Sequence, residues 1–195
     1  MAEGSGATPR ADDDRLVWID LEMTGLEVEK HVIVEIACIV TNGALEALDP
    51  GIDIVVHADD DALGRMDDFV RNMHTKSGLL AEIEKSDVSV ESAQARVLEY
   101  VKGHVSQPSA VPLCGNSIGV DRRFLDAYMR ELDSYLHYRS VDVSSLKELC
   151  RRWYPAIYRK RPGKAEHHRA LDDIRESIAE LRYYREQLFI PPPAP

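Results

Sequence analysis

"RLVWIDLEMTGL", residues 15–26, is the stretch on which the fold turns. Leu16, Val17, Trp18, Ile19 and Leu21 have the apolar continuity of a strand buried on both faces. Two acids, Asp20 and Glu22, are set into its end, although unpaired carboxylates are costly to bury. Alternate residues of a strand share a face, so the two point the same way. They also stand at the carboxyl end of the first strand, where open α/β sheets place their sites. Side-by-side carboxylates repel unless a cation lies between them, and hard oxygen ligands suit Mg²⁺ or Mn²⁺. The competing reading is that the strand has ended and both acids are solvated. This stretch alone does not separate the two.

Further strands are expected at 32–40 ("VIVEIACIV"), 52–57 ("IDIVVH"), 111–114 ("VPLC") and 139–143 ("RSVDV"). Helices are expected in "SVESAQARVLEYVKGHV", where Val90, Ala93, Val97, Leu98 and Val101 recur at helical spacing. "DRRFLDAYMREL" follows a "GNSIG" turn, "VSSLKELCRRWY" opens on serines suited to capping, and "HHRALDDIRESIAELRYYREQLF" carries Leu171, Ile174, Ile178 and Leu181 on one stripe. Three early strands, then strands alternating with helices, predict a mixed α/β sheet with helices packed on it.

Two later stretches also hold acids. Asp121 opens the helix after "LCGNSIG", where capping and the helix dipole are sufficient reason for an aspartate. In "EHHRALDDIRESIAEL", His168 precedes Asp172 and Asp173 at the mouth of the last helix. A helical wheel puts neither aspartate at the centre of the apolar stripe and does not choose between them. "GNSIGVD" is no dinucleotide fingerprint, and no Walker-type loop occurs.

Taken together, D-x-E, an Asp about a hundred residues on, and H-x-x-x-x-D near the end resemble the DEDD superfamily of 3′-to-5′ exonucleases, in its histidine-containing branch. "WIDLEMTGL", "IVEIACIVT", "MHTKSGL", "HYRSVDVSSLKELCRRW" and "HHRALDDIRESIAELRYYRE" look like the oligoribonuclease family within it, across residues 15–189. The resemblance implies a ribonuclease-H-like fold, a mixed β-sheet flanked by helices. It implies hydrolysis of very short RNA, dinucleotides above all, to 5′-mononucleotides with two divalent cations, Mg²⁺ or Mn²⁺. Carried over residue by residue, the metal ligands are Asp20, Glu22, Asp121 and Asp173, and His168 is the general base. Asp173 is chosen over Asp172 by the family's five-residue step from the histidine.

The resemblance also implies a substrate pocket. Leu26 stands where the family wedges an apolar side chain against a base; a turn leucine covering the core is the plainer reading. Phe69 replaces a tryptophan of some relatives and offers a stacking face, although a core aromatic on a helix would read the same way. His74, Ser117, Tyr138, Arg139 and Ser144 complete the set. Tyr138, Arg139 and Ser144 are implied to come from the second subunit of a homodimer and to grip a 5′ phosphate. As sequence, Tyr138 and Arg139 equally suit a solvated strand edge.

Bulk properties agree. The 195 residues carry 34 acids against 24 Lys plus Arg, a formal net charge of -10, which repels long polyanions and disfavours a broad duplex-binding face. The run 151–164 opposes this with basic residues interleaved among Trp153, Tyr154 and Tyr158, as a flap, a dimer contact or a solvated loop. Cys38, Cys114 and Cys150 form no C-x-x-C pair and read as buried thiols of a reducing compartment. With no secretory leader and no membrane span in view, a cytoplasmic protein is expected. Residues 1–14 and the Pro-rich 190–195 read as disordered tails around one exonuclease domain, 15–189. A general single-strand exonuclease and a non-catalytic binder of short nucleotides are the alternatives.

Overall fold

The computed structural model describes residues 14–163 and 169–190. Five strands, β1 (Arg15–Met23), β2 (Ile33–Asn42), β3 (Ile52–Val55), β4 (Pro112–Gly115) and β5 (His137–Asp142), form one sheet in the order β3-β2-β1-β4-β5. β1, β2 and β3 pair antiparallel, and β4 and β5 join parallel to β1. The described helices are α1 (Asp60–Leu63), α2 (Asp68–Lys76), α3 (Leu79–Ile83), α4 (Val90–His104), α5 (Gly119–Tyr128), α6 (Arg130–Tyr135), α7 (Val143–Trp153), α8 (Pro155–Tyr158) and α9 (Ala170–Leu188). This is the expected mixed sheet flanked by helices.

Strand alternation sorts the core into two layers. Val17, Ile19 and Leu21 of β1 pack with Val97, Val101, Phe124 and Leu125 on the α4–α5 face. Trp18 points the other way and packs with Ala37, Ile39, Ile174 and Ile178 beneath α9. Both faces are therefore buried, which is why β1 and β2 read as apolar without alternation. Asp20 and Glu22 share the parity of Trp18 and so project towards α9. A third cluster (Val34, Leu63, Leu79, Ile83) seats α1 and α3 against β2.

Two elements depart from expectation. The helix expected across 121–132 breaks at Met129 (φ -133°, ψ 50°) into α5 and α6. The segment 60–83, given no helix by periodicity, holds α1, α2 and α3. Asp59 and Asp67 cap α1 and α2, each accepting a backbone N–H at 2.8 Å. Of the expected tails only Asp14 and Ile190 are among the described residues, and Lys164 and His168 lie outside them.

The β2–β3 connection is pinned by one side chain. The Tyr100 hydroxyl donates to Asp49 Oδ1 (2.8 Å) and accepts from the Val40 N–H (3.2 Å), and His104 Nε2 meets Asp49 Oδ2 at 2.8 Å. Tyr100→Phe leaves the Val40 N–H without this partner and should cost about 1–3 kcal/mol, read as a lower midpoint in urea unfolding.

Candidate active site

The end of β1 is shaped by an irregularity in its pairing. Glu22 lies opposite Glu35 of β2, but Met23 lies opposite Ile33, leaving Val34 as the extra residue of a bulge. Bulges re-aim neighbouring side chains, and this one sits beside Glu22. Across from it α9 begins, and Asp173 lies in its first turn. One carboxylate oxygen each from Asp20, Glu22 and Asp173 lie within 4.8 Å of one another. The neighbouring Asp172 turns instead to Arg175 Nη1 at 3.0 Å. Of the two aspartates, Asp173 is the one whose carboxylate meets Asp20 and Glu22.

Asp121, on the first turn of α5, is buried, and its Oδ1 accepts the Leu21 N–H at 3.2 Å. That bond ties α5 to β1 between the two acids of the opening motif. A solvated capping aspartate is therefore not what the fold makes of this residue. The cluster is electrostatically loaded. Burial, with the charges of Glu35, Asp173 and Asp121, raises Glu22 from 4.5 to about 8 against the opposing pull of Arg169. Burial also raises Asp121 from 3.8 to about 6, opposed by backbone N–H groups. Converging acids of this kind, all oxygen donors, fit hard divalent cations.

Beside the acids opens a cleft of about 1190 Å³, bounded by Glu22, the loop Met23–His31 and α2. The loop doubles back tightly: a Cβ on Gly25 would lie 2.5 Å from His31 Nε2. Tyr128 OH, 2.8 Å from both the Val28 and His31 carbonyls, braces it from α5. Leu26, on this loop, is 64% exposed, and Phe69, on α2, is 74% exposed. Neither covers the core. Both present apolar surface along the cleft that leads to the carboxylates.

Comparison with known proteins accords with this arrangement. Residues 17–181 match the RNase_T family of exonucleases. The chain is 54% identical over 182 residues to an oligoribonuclease of Mycobacterium leprae, covering 93% of this chain and 85% of that protein. It is 55% identical over 183 residues to an oligoribonuclease of Streptomyces avermitilis, covering 94% and 91%. The chain belongs to the oligoribonuclease family. It is an exonuclease-type hydrolase, in a family dependent on divalent metal. Among solved structures, exonuclease I of Methylocaldum szegediense superposes with a TM-score of 0.65 at 18% identity, covering 89% of this chain and 41% of that one. Escherichia coli exonuclease I in complex with a dA16 oligonucleotide gives 0.65 at 16%, again covering 89% and 41%. The chain thus spans about two fifths of those exonuclease I chains, and at these identities the likeness is one of fold.

The other residues expected for an oligoribonuclease fall into three groups. His74 is fully buried below the cleft. Its Nε2 donates to the Met23 carbonyl at 2.9 Å, and its Nδ1 faces Glu22 Oε2 at 3.9 Å. It underlies Glu22 behind the open face of the cleft. Ser117 and Ser144 meet Oγ to Oγ at 2.9 Å, held by Asn116 Oδ1, which accepts from Ser144 Oγ at 3.1 Å. Asn116 Nδ2 donates to Ser177 Oγ (2.8 Å), which donates to the Asp173 carbonyl (2.8 Å), so the serine pair is wired to the acidic helix.

Tyr138 and Arg139 stand apart. Pro112 pairs with His137 and Leu113 with Ser140, so these two are the extra residues of a bulge on the edge strand β5. Tyr138 is 75% exposed, with the Arg139 guanidinium 5.5 Å above its ring. Strand rise and spacing put their Cα atoms on the order of 15 Å from that of Asp20, two strands away on the edge of the sheet. This chain does not bring them to its own acids. His168 lies outside the described residues. The basic stretch is partly neutralised, since Arg151 and Arg152 pair with Glu148 and Arg161 stacks 4.1 Å over Tyr158.

Glu35, Arg169 and Asn116 were missed in the sequence. The signal for Glu35 was present, because "VIVEIACIV" sets an acid inside an apolar run just as "LVWIDLEM" does.

The raised carboxyls give a pH test. A divalent cation bound at this cluster would displace the Glu22 proton, so adding Mn²⁺ to metal-free protein at pH 7 should release protons. Affinity should climb between pH 6 and 8, by up to about tenfold per unit for each proton displaced. The metal-free fold holds the Glu22 proton more tightly than the unfolded chain does. Its stabilising contribution is complete below 4.5 and is lost as pH rises through about 8. Thermal melts without metal should therefore fall from pH 6 to 9, and Glu22→Gln should flatten that slope.

Proposed function

We propose that the protein is a 3′-to-5′ exoribonuclease that hydrolyses very short RNA, dinucleotides above all, to 5′-mononucleotides. Asp20, Glu22, Asp121 and Asp173 would hold two divalent cations, Mg²⁺ or Mn²⁺. When bound, the ions supply charge neutralisation at phosphorus and a lowered pKa for the attacking water. The observation that carries the reading is the meeting of Asp20, Glu22 and Asp173 at the head of a cleft bearing exposed Leu26 and Phe69.

The chain's residues then divide the work. Leu26 and Phe69 hold the bases at the 3′ end by apolar contact and stacking, fixing the scissile phosphate against the acids. His168 takes the proton of the attacking water, a general-base role that imidazole suits. The water oxygen bonds to phosphorus as the bond to the 3′ oxygen of the preceding nucleotide breaks. Tyr138 and Arg139 project from the edge strand far from their own acids, which supports their serving a second subunit, where they bind the 5′ phosphate of its substrate. A homodimer follows from that reading. The net charge of -10 supports a short substrate, since the protein has little field with which to hold a long polyanion.

Turnover of 5′-phosphorylated RNAs of two, five and twenty nucleotides in Mg²⁺ or Mn²⁺ is the test. Fast chelator-sensitive cleavage of the dinucleotide, fading with length, is expected. Rates that hold or rise with length would replace this reading with a general exonuclease. Asp20→Ala and Asp173→Ala should each lose more than about 100-fold in turnover, the upper end for merely outer-shell partners of a metal. Arg139→Ala should raise KM for the 5′-phosphorylated dinucleotide far more than for the unphosphorylated one, and equal losses would remove the phosphate grip.

A further inference from the structure

Glu35 is fully buried in β2, directly across the strand pair from Glu22. Like charges facing each other across a sheet are destabilising, and a buried acid needs a partner. Glu35 has two. Arg169, the residue before α9, donates from Nε to Oε1 at 2.8 Å, with Nη2 also 2.8 Å from Oε1. The first backbone N–H of α9, that of Ala170, donates to Oε2 at 3.0 Å. The N-cap residue Arg169 offers no side-chain cap of its own, so a carboxylate from another element caps the helix. The outer face of the same guanidinium is forked on Glu82 of α3 at 3.1 and 2.8 Å, with Asp53 of β3 at 4.0 Å. One arginine joins β2, α3 and the start of α9, one turn before Asp173.

We infer that Arg169 and Glu35 form a positioning pair that sets the first turn of α9 against β1, so that Asp173 meets Asp20 and Glu22 at metal-binding distance. The inference rests on the proposed role of those three acids. Neither member reaches the substrate. The guanidinium fork fixes the helix in angle as well as position, because two of its edges are held by carboxylates on different elements. A pure charge role has the opposite signature: a cation beside a metal site repels the metal, so removing it would tighten binding. A role confined to stability would lower the melting temperature and leave metal affinity alone.

The experiment compares the full chain with Arg169→Gln and Arg169→Lys by Mn²⁺ binding, followed through the electron paramagnetic resonance of free Mn²⁺, with thermal melts alongside. Arg169→Gln should weaken Mn²⁺ binding by about tenfold or more, the scale of outer-shell loss. Its turnover should recover as Mn²⁺ is raised, with KM for the dinucleotide at saturating Mn²⁺ unchanged. Arg169→Lys keeps the charge without the fork and should fall between parent and Arg169→Gln. Should Arg169→Gln not fold, a loss of about threefold in Arg169→Lys carries the inference on the same grounds. Mn²⁺ affinity equal to the parent's, or tighter, in a folded variant overturns it. Absence of Mn²⁺ binding by the parent would instead overturn the proposed metal site.

Discussion

Mutual repulsion among buried and half-buried carboxylates at the end of β1 is the constraint around which the molecule is arranged. Asp20, Glu22 and Asp173 converge, Asp121 stands behind them on the Leu21 amide, and Glu35 faces Glu22 across the strand pair. No single helix or strand could bring these groups together: Asp20 and Glu22 come from β1, Glu35 from β2, Asp121 from α5 and Asp173 from α9. The fold meets the constraint with directed donors. The Leu21 and Ala170 amides and the Arg169 guanidinium each reach one of the acids, and the acids that converge are those suited to a cation. A chain that packed its strands equally well without those donors would hold an uncompensated buried cluster, which is strongly destabilising.

Much of this was legible in the sequence. β1 and β2 follow from long apolar runs rich in Val and Ile, since a strand buried on both faces needs no alternation to be seen, whereas the short β3 and β4 and the mostly polar β5 give a weaker signal. The early antiparallel strands and later parallel ones follow from element order. The short helices α1–α3 were not legible: α1 and α3 are little more than a turn long, and the aspartates that cap α1 and α2 lie in runs of aspartate where no single one stands out. The break at Met129 was hidden because the apolar residues on either side keep helical spacing across it. Of the acids, the D-x-E pair announced itself by parity. Asp121 looked like an ordinary cap until the Leu21 contact gave it a second role, and Glu35 passed unremarked within a strand that was otherwise simple to read.

The substrate side was legible as residue identity but not as placement. Exposure of Leu26 and Phe69 is a tertiary property, and sequence could equally have put both in the core. His74 shows the converse, a polar residue with motif context that the fold sinks beneath Glu22. Tyr138 and Arg139 owe their prominence to a register shift on an edge strand, which no local pattern signals. The single chain thus exposes apolar side chains beside the carboxylates and a tyrosine–arginine pair on the edge strand β5.

Cys38, Cys114 and Cys150 are all buried, and burial pushes each thiol's pKa upward, away from the reactive thiolate. The chain contains no other cysteine. For thiol-directed labelling the surface is therefore a blank background: a cysteine placed at Leu26 or Tyr138, both open to solvent, would carry a fluorophore or spin label without competition. Cleft and edge strand can thus be watched separately in the otherwise natural sequence, with no native thiol first removed from the core.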